Sequence, residues 1–326
     1  MPSTQTPLAK MRAVLFDRVL QYRSDAVLRS VSEGEVVVDV RLAGICETDL
    51  QLCRGYMGFS GILGHEFVGI ARTGRFAGQR VVGEINCSCH ACALCRRGLE
   101  RHCSQRTVIG ILNHDGAFAE SVVVPESNLH LIPESVTDEV AVFVEPVAAA
   151  CRIPEQIVVD RQNVTVLGDG RLGNLCAQVL RHHGALVTVV GKHEAKLRLL
   201  RQIGIKAISL QDLSGERTSD IVVDCTGSST GLETAVRIVR PCGTIVLKTT
   251  IADRQTMHMA PLVIDEITMI GSRCGPFGPA LRLLEHGSVS VTPMISGRYK
   301  LEDAIEAFER ASRKDTLKVL LQVAED

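Results

Sequence analysis

The chain has 326 residues, enough for about two domains of ordinary size, and a formal net charge of −1 at pH 7. It is 45% hydrophobic and 22% charged, as expected for a soluble globular protein. The near-neutral charge argues against a general attraction to nucleic acid or to an anionic membrane. The first ten residues are polar and no apolar run is long enough to span a bilayer, so neither a signal peptide nor a membrane span is expected.

The first half of the chain is predicted to be rich in β-strands. Short runs with many β-branched residues alternate with Gly, Asp and Ser and have no helical pattern between them. The predicted strands are Ala13–Phe16, Glu35–Ala43, Phe67–Ala71, Gln79–Ile85 and Ala117–Val124. Strands at this spacing favour a small barrel-like fold.

Four cysteines in a polar stretch predict a structural zinc site. Their spacing is C-x2-C-x2-C-x7-C, and they are Cys89, Cys92, Cys95 and Cys103. Thiolates two residues apart on a tight turn can face one ion, and four of them complete a tetrahedral shell with no open position. The alternative is four ordinary buried thiols, which a polar loop disfavours. Metal-ligand clustering of this kind is typical of a reducing compartment, so we expect a cytoplasmic protein.

A second metal site is suggested by Cys46 in Gly-Ile-Cys-Glu-Thr-Asp and by His65 in Gly-His-Glu. Glu145, in Val-Glu-Pro-Val, offers a third ligand, and three protein ligands with an open position are typical of catalytic zinc. Two alternatives stay open at this point. A lone Cys or His is more often structural, and Glu145 beside Pro146 can be a carboxylate that stabilises the start of a helix.

The second half alternates strands and helices and predicts a doubly wound parallel sheet. The predicted strands are Asn163–Leu167, Leu186–Val190, Ile221–Cys225, Thr244–Lys248 and Ile267–Ser272, and the helices are Leu172–His183, Glu194–Ile203 and Leu232–Val239. Between the first strand and the first helix lies Gly168-Asp169-Gly170-Arg171-Leu172-Gly173. Glycines at these three places allow a tight turn, the approach of a pyrophosphate and close helix–strand packing.

The end of the second of these strands informs the choice of dinucleotide. An acid about 20 residues after the first glycine binds the ribose hydroxyls of NAD, but Gly191 stands there, followed by Lys192 and His193. A missing carboxylate beside a cation favours a 2′-phosphate and therefore NADP. The alternative is that Lys192 is a solvated charge and NAD binds without the usual acid.

The chain resembles the zinc-containing medium-chain alcohol dehydrogenase family, specifically its polyol (sorbitol) dehydrogenase-like branch. The matching pieces occur in the family's order from Met11 onward, and they are GICETD, GHEFVG, the Cys89–Cys103 lobe, DGAFAE, VEPVAAA and GDGRLG. The resemblance implies a GroES-like β-barrel catalytic domain over 1–150, to which 286–326 return. It implies a Rossmann domain over 151–285, zinc at two sites per chain, and NAD(P).

The resemblance also implies roles for individual residues. Cys46, His65 and Glu145 match the ligands of the catalytic zinc, and the glutamate is the feature shared with the polyol branch. Glu66 matches a carboxylate behind that zinc which exchanges onto the metal in some members. Asp49 matches the carboxylate that orients the ligating histidine, and Thr48 the hydroxyl that binds the substrate oxygen and passes its proton outward. Cofactor contacts are implied for Thr226, Lys248 and Lys318.

Gln51 departs from the ethanol-using members, which place a proton-relaying histidine there. The resemblance implies a small-molecule alcohol or carbonyl substrate and a homodimer or homotetramer formed through an edge strand near Ile264–Ser272. Two other classes remain possible on the sequence alone. One is a zinc-lobe module that binds nucleic acid, and the other is a catalytically idle protein on the same fold.

Overall fold

The computed structural model describes residues 10–250 and 257–324. The chain forms two compact units, one ending at Phe143 and resuming at Ile295, the other running from Val144 to Met294. The sequence analysis placed these boundaries at 150/151 and 285/286. In the structure, the whole of the helix Val144–Gln156 and the segment 286–294 belong to the second unit. Within the described residues, no helix is both long enough and apolar enough to cross a membrane.

The N-terminal part of the first unit is built mainly of strands, as predicted. Its strands are β1 Lys10–Asp17, β2 Val19–Val27, β3 Glu35–Ile45, β4 Gly61–Ile62, β5 Glu66–Ala71, β6 Arg80–Gly83, β7 Asn86–Cys87, β8 Thr107–Val108, β9 Ser121–Pro125 and β10 Leu129–Leu131, and its helices are α1 Glu47–Cys53 and α2 Asp138–Ala141. The strand β2 was not predicted. Its polar sequence is largely exposed, and its conformation depends on antiparallel pairing with β1.

The second unit is the predicted doubly wound sheet. Its elements are α3 Val144–Gln156, β11 Asn163–Leu167, α4 Arg171–His182, β12 Leu186–Gly191, α5 Glu194–Gln202, β13 Lys206–Ser209, β14 Ser219–Asp224, α6 Gly231–Ile238, β15 Val239–Leu247, α7 Ala260–Ile264, β16 Thr268–Gly271 and α8 Phe277–Glu285. The strand order is β13-β12-β11-β14-β15-β16, and every neighbouring pair is parallel. The short strand β13 is an addition to the prediction.

The position of β11 determines where a ligand can bind in this sheet. It pairs with β12 on one side and with β14 on the other, so the strand order reverses there. The carboxyl ends of these three strands, Leu167, Gly191 and Asp224, lie along one edge of the sheet. This edge is the topological switch point at which α/β sheets bind dinucleotides.

The chain then returns to the first unit through β17 Ile295–Lys300, α9 Ala304–Ala311 and β18 Lys318–Gln322. The main sheet of this unit has the order β10-β6-β5-β3-β18-β17, with β9 also paired to β3. Phe308 of α9 packs against Phe118 with ring centroids 5.9 Å apart, edge to face. The returning segment therefore completes both the sheet and the core, and the predicted class of a GroES-like unit plus a Rossmann sheet is confirmed.

Candidate functional site

The four predicted lobe cysteines converge in the loop between β7 and β8. Each offers a sulfur, and the four sulfurs all lie within 4.8 Å of one another. The separations are 3.5 Å for Cys92–Cys95, 3.8 Å for Cys92–Cys103 and 3.4 Å for Cys89–Cys103. Tetrahedral zinc with Zn–S bonds of about 2.3 Å requires sulfurs about 3.8 Å apart. The lobe geometry therefore fits one zinc ion.

The electrostatics of the lobe also favour a cation. Backbone N–H groups, led by that of Cys95, lower the pKa of the Cys92 thiol to about 5. Burial and the neighbouring thiols raise the pKa of Cys95 to about 12. Four thiolates cannot ionise together in so small a volume without a compensating charge, which a divalent metal supplies. Cys87 lies outside this cluster of sulfurs and is buried in the core.

A second cluster forms where β3, α1 and β5 meet. Cys46, His65 and Glu66 each offer one ligand atom, and the three atoms lie within 4.8 Å of one another. Cys46 is the N-cap of α1, and His65 immediately precedes β5. The pairing of Gly44 with Glu66 in the antiparallel β3–β5 ladder brings the two sequence motifs together. A sulfur, an imidazole and a carboxylate in one place fit zinc.

Asp49 orients two members of this cluster. Its Oδ2 accepts the backbone N–H of Cys46 at 2.8 Å, and its Oδ1 lies 3.3 Å from His65 Nδ1. The contact through Nδ1 leaves Nε2 of His65 as the nitrogen available to a metal. Burial lowers the pKa of His65, but Asp49 and Cys46 together raise it well above its ordinary value. The cluster thus attracts positive charge.

Glu66 is held from behind by a lysine of the returning strand. Lys318 and Glu66 form an ion pair in which both side chains are 1% exposed. The ammonium also lies 3.5 Å from the carbonyl oxygen of Ile45 and 5.5 Å from the centroid of the Phe143 ring. A Cβ at Gly44 would stand 2.7 Å from Glu66 Oε2, so this pair requires glycine there. The structure shows the contact of Lys318 with Glu66. The contact of Lys318 with the cofactor remains a prediction.

Glu145 lies in the first turn of α3, at the beginning of the second unit. Within the described residues of the first unit, Cys46, His65 and Glu66 lie together. The assignment of Glu145 as the third ligand remains a prediction. Thr48 lies beside the cluster, with its hydroxyl 3.8 Å from Cys46 Sγ. Gln51 donates its side-chain N–H to Glu47 at 2.9 Å. Glu47 is a neighbour that the sequence analysis did not single out.

The glycine motif has the predicted close contacts. Gly168 has φ +111°, and a Cβ there would lie 2.7 Å from the carbonyl oxygen of Cys225. A Cβ at Gly173 would lie 2.0 Å from the Gly168 oxygen, so the first turn of α4 must pack this closely against the loop. The remaining residues of the motif open α4, with Gly170 as its N-cap and Arg171 and Leu172 as its first residues.

A cavity of about 110 Å³ opens at the carboxyl edge of the sheet. Five residues predicted to bind the cofactor line it, namely Gly168, Gly191, Lys192, His193 and Thr226. Asp169 and Thr230 line it as well and were not predicted. The ammonium of Lys248 donates to the carbonyl oxygens of Ala149 at 2.6 Å and Arg273 at 3.0 Å and to Ser272 Oγ at 3.3 Å, and its contact with the cofactor remains a prediction. These contacts give Lys248 a structural role in joining α3 to the segment after β16.

Comparison with known proteins gives matches to two family models. The model for the alcohol dehydrogenase GroES-like domain matches residues 32–134, and the model for zinc-binding dehydrogenase matches residues 172–286. Together they cover about two thirds of the chain. A sorbitol dehydrogenase from Halalkalibacterium halodurans is 27% identical over 313 residues, which are 88% of this chain and 91% of the relative.

Two solved structures have the same fold over almost the whole chain. One is described as a short chain alcohol dehydrogenase from E. coli CFT073 complexed with NADH, with 26% identity, a TM-score of 0.87 and coverage of 96% of this chain and 99% of the other. The second is a putative zinc-binding dehydrogenase from Sinorhizobium meliloti 1021 bound to NADP, with 26% identity, a TM-score of 0.87 and coverage of 97% and 100%. The chain belongs to the zinc-containing medium-chain alcohol dehydrogenase family and resembles its polyol dehydrogenases.

Proposed function

We propose that this chain is a zinc-dependent, NAD(P)-linked dehydrogenase that interconverts an alcohol or polyol with its ketone or aldehyde. The observation that carries the proposal is the Cys46–His65–Glu66 cluster, whose ligand atoms lie within 4.8 Å of one another. The parallel sheet and the cavity at its carboxyl edge provide for a dinucleotide. The similarity to a sorbitol dehydrogenase supports a polyol as the substrate class.

The chemistry divides between the bound groups and the chain. When bound, zinc supplies a Lewis acid for the substrate oxygen, and the nicotinamide supplies the redox partner. Thr48, beside Cys46, hydrogen-bonds the substrate oxygen and passes its proton outward. The amide of Gln51 carries no titratable proton and is held by Glu47, so the proton leaves to water rather than through position 51.

For the catalytic metal we propose Cys46, His65 and Glu145 as resident ligands, with Glu66 behind them. The buried pair with Lys318 already balances the charge of Glu66, which supports the use of a different carboxylate as the permanent third ligand. For the second zinc we propose Cys89, Cys92, Cys95 and Cys103, whose closed set of sulfurs leaves no position for a substrate. The chain would then bind two zinc ions.

For the cofactor we propose a preference for NADP over NAD. The end of β12 carries Gly191 in place of the usual ribose-binding acid, and Lys192 and His193 follow it at the cavity.

For the assembly we propose a homodimer or homotetramer. The thiol-rich metal lobe supports a reducing, cytoplasmic location.

The proposal on assembly rests on exposed apolar residues in the second unit, next to its edge strand β16. Val263 and Ile264, at the end of α7, are 76% and 77% exposed. They precede β16, the last strand in the order of the sheet. Large apolar side chains exposed together on the segment that leads into an edge strand are typical of an interface between subunits.

Replacing Ile264 with Lys tests this edge. We expect the variant to be smaller than the wild type by sedimentation at equal concentration, because a charge at the proposed interface would be buried without a partner. Leu186→Lys, at an exposed position on β12, is the matched control and should retain the wild-type mass. An Ile264→Lys variant that keeps the wild-type mass would move the interface elsewhere.

Replacing Cys92 with Ser tests the lobe. We expect the loss of one zinc ion per chain and a fall in thermal stability of several degrees, because structural zinc contributes to the free energy of folding. Zinc content by mass spectrometry and the unfolding midpoint are the measurements. Cys242→Ser, which alters an exposed thiol outside the lobe, should change neither. An unchanged zinc content in Cys92→Ser would contradict the assignment.

Replacing Cys46 with Ser or Glu145 with Ala tests the catalytic ligands. In both variants we expect turnover to fall by about a thousandfold or more with the fold intact, because the reaction would lose its Lewis acid. Circular dichroism and zinc content distinguish the loss of metal from unfolding. Glu139→Ala, at a partly exposed carboxylate in α2, serves as the control. Near-normal turnover in Glu145→Ala would give the third position to Glu66.

Replacing Lys192 with Ala tests the preference for NADP. We expect the KM for NADPH to rise by about tenfold and that for NADH to change little, because a charge-assisted contact with the 2′-phosphate is lost. Lys206→Ala, at an exposed lysine on β13, is the control. If both cofactors were weakened equally, the assignment of Lys192 to the 2′-phosphate would be wrong.

A further inference from the structure

Asp169, the second residue of the glycine motif, makes contacts that the motif itself does not require. Asp169 is only 5% exposed. Oδ2 accepts the backbone N–H groups of Lys192 at 2.7 Å and His193 at 2.6 Å, and Oδ1 lies 2.9 Å from His193 Nδ1. The loop after β11 is thereby fixed to the turn that follows β12. Burial raises the pKa of Asp169, but the contacts with His193 outweigh this effect and hold the pKa below its ordinary value.

The same carboxyl group determines which residue can stand at position 191. A Cβ on Gly191 would lie 2.3 Å from Asp169 Oδ2 and 2.5 Å from Asp169 Cβ. The Cβ of Asp169 is close to its own backbone and cannot swing away as the end of a long side chain can. An acid at the end of β12 and the aspartate at 169 therefore exclude each other. The close approach of Asp169 to Gly191 is consistent with the absence of a ribose-binding carboxylate at position 191.

The side chains of Lys192 and His193 remain beside the cavity once Asp169 is in place. The side chain of His193 is 36% exposed, and its Nδ1 is committed to Asp169, which leaves Nε2 for a ligand. Lys192 is exposed at the same cavity. The contact with Asp169 at one ring nitrogen fixes the orientation of the imidazole ring beside the cavity. The carboxylate itself already accepts three donors and is turned toward the backbone.

We propose that Asp169 is a positioning residue for cofactor choice, which holds the Lys192–His193 turn so that both side chains contact the 2′-phosphate of NADP. The proposal rests on the proposed function and refines it, because it names the residue that creates the phosphate site. His193 and Lys192 bind the phosphate, and Asp169 acts through His193. The anion would be held by a lysine and a histidine rather than by an arginine.

The first experiment is Asp169→Asn, read by titrating the protein with NADPH and with NADH and following the fluorescence of the reduced cofactor. The asparagine oxygen can still accept the backbone N–H groups of Lys192 and His193, but its NH2 group replaces the carboxylate oxygen that faces His193 Nδ1. We expect the Kd for NADPH to rise about tenfold, as for the loss of a charged hydrogen bond, and that for NADH to change less than about twofold. Asp160→Asn, the same change at an exposed aspartate outside the cavity lining, is the control.

Three outcomes would overturn the proposal. NADPH binding in Asp169→Asn could stay the same, it could become tighter because the carboxylate repels the phosphate, or both cofactors could weaken equally because the loop alone is disturbed. A wild type that binds NADH more tightly than NADPH would also refute it, and would leave the dehydrogenase function intact. A wild type that binds neither reduced cofactor would instead refute the proposed function.

A reciprocal exchange tests the mutual exclusion of the two positions independently. Gly191→Asp alone should weaken both cofactors, because its Cβ collides with Asp169. The double variant Asp169→Gly with Gly191→Asp should recover NADH binding and reverse the preference. If Gly191→Asp alone bound NADH as well as the double variant does, positions 169 and 191 would be independent and the proposal would fail.

Discussion

The buried ion pair between Glu66 and Lys318 is the constraint on which the metal-binding half of the molecule depends. It joins β5, which follows the proposed zinc ligand His65, to β18 of the returning segment. Removing one partner of a buried pair leaves an uncompensated charge and costs about 3–5 kcal/mol. The pair therefore makes the C-terminal return necessary to the metal site as well as to the sheet, where β18 lies against β3.

The same pair explains several local features of the site. Gly44 has no side chain because the Glu66 carboxylate occupies the adjacent space. Asp49 and Lys318 approach the cluster as groups of opposite sign, one at His65 and one at Glu66. This arrangement leaves the electron-rich Cys46 and His65 free to attract a cation, while Glu66 is neutralised. A balanced set of charges around an ion site avoids the cost of unpaired buried charge when the metal is lost or exchanged.

The sequence predicted those parts of the fold and site that depend on residues close together in the chain. The lobe cysteines lie within fifteen residues, so spacing alone indicated their convergence, and the strand–glycine–helix pattern around Gly168 predicted the start of the Rossmann sheet. The strand β2 was not predicted, because its polar residues acquire strand geometry only by pairing with β1. The pairing of Lys318 with Glu66 and of Asp169 with His193 could not be read from spacing, since each contact joins distant segments. For Asp169 a signal did exist, in the coincidence of an acid in the glycine motif with a glycine where the acid usually stands.

We propose that one chain holds two different metal centres, a closed cysteine lobe and an open catalytic site. This can be tested by measuring the number of zinc ions per chain in freshly purified protein that has not been exposed to a chelator, using inductively coupled plasma mass spectrometry. We expect two zinc ions per chain. A value of one that does not rise after incubation with zinc would show that the Cys46–His65 cluster does not hold the metal, and the proposal of a catalytic zinc site would be wrong.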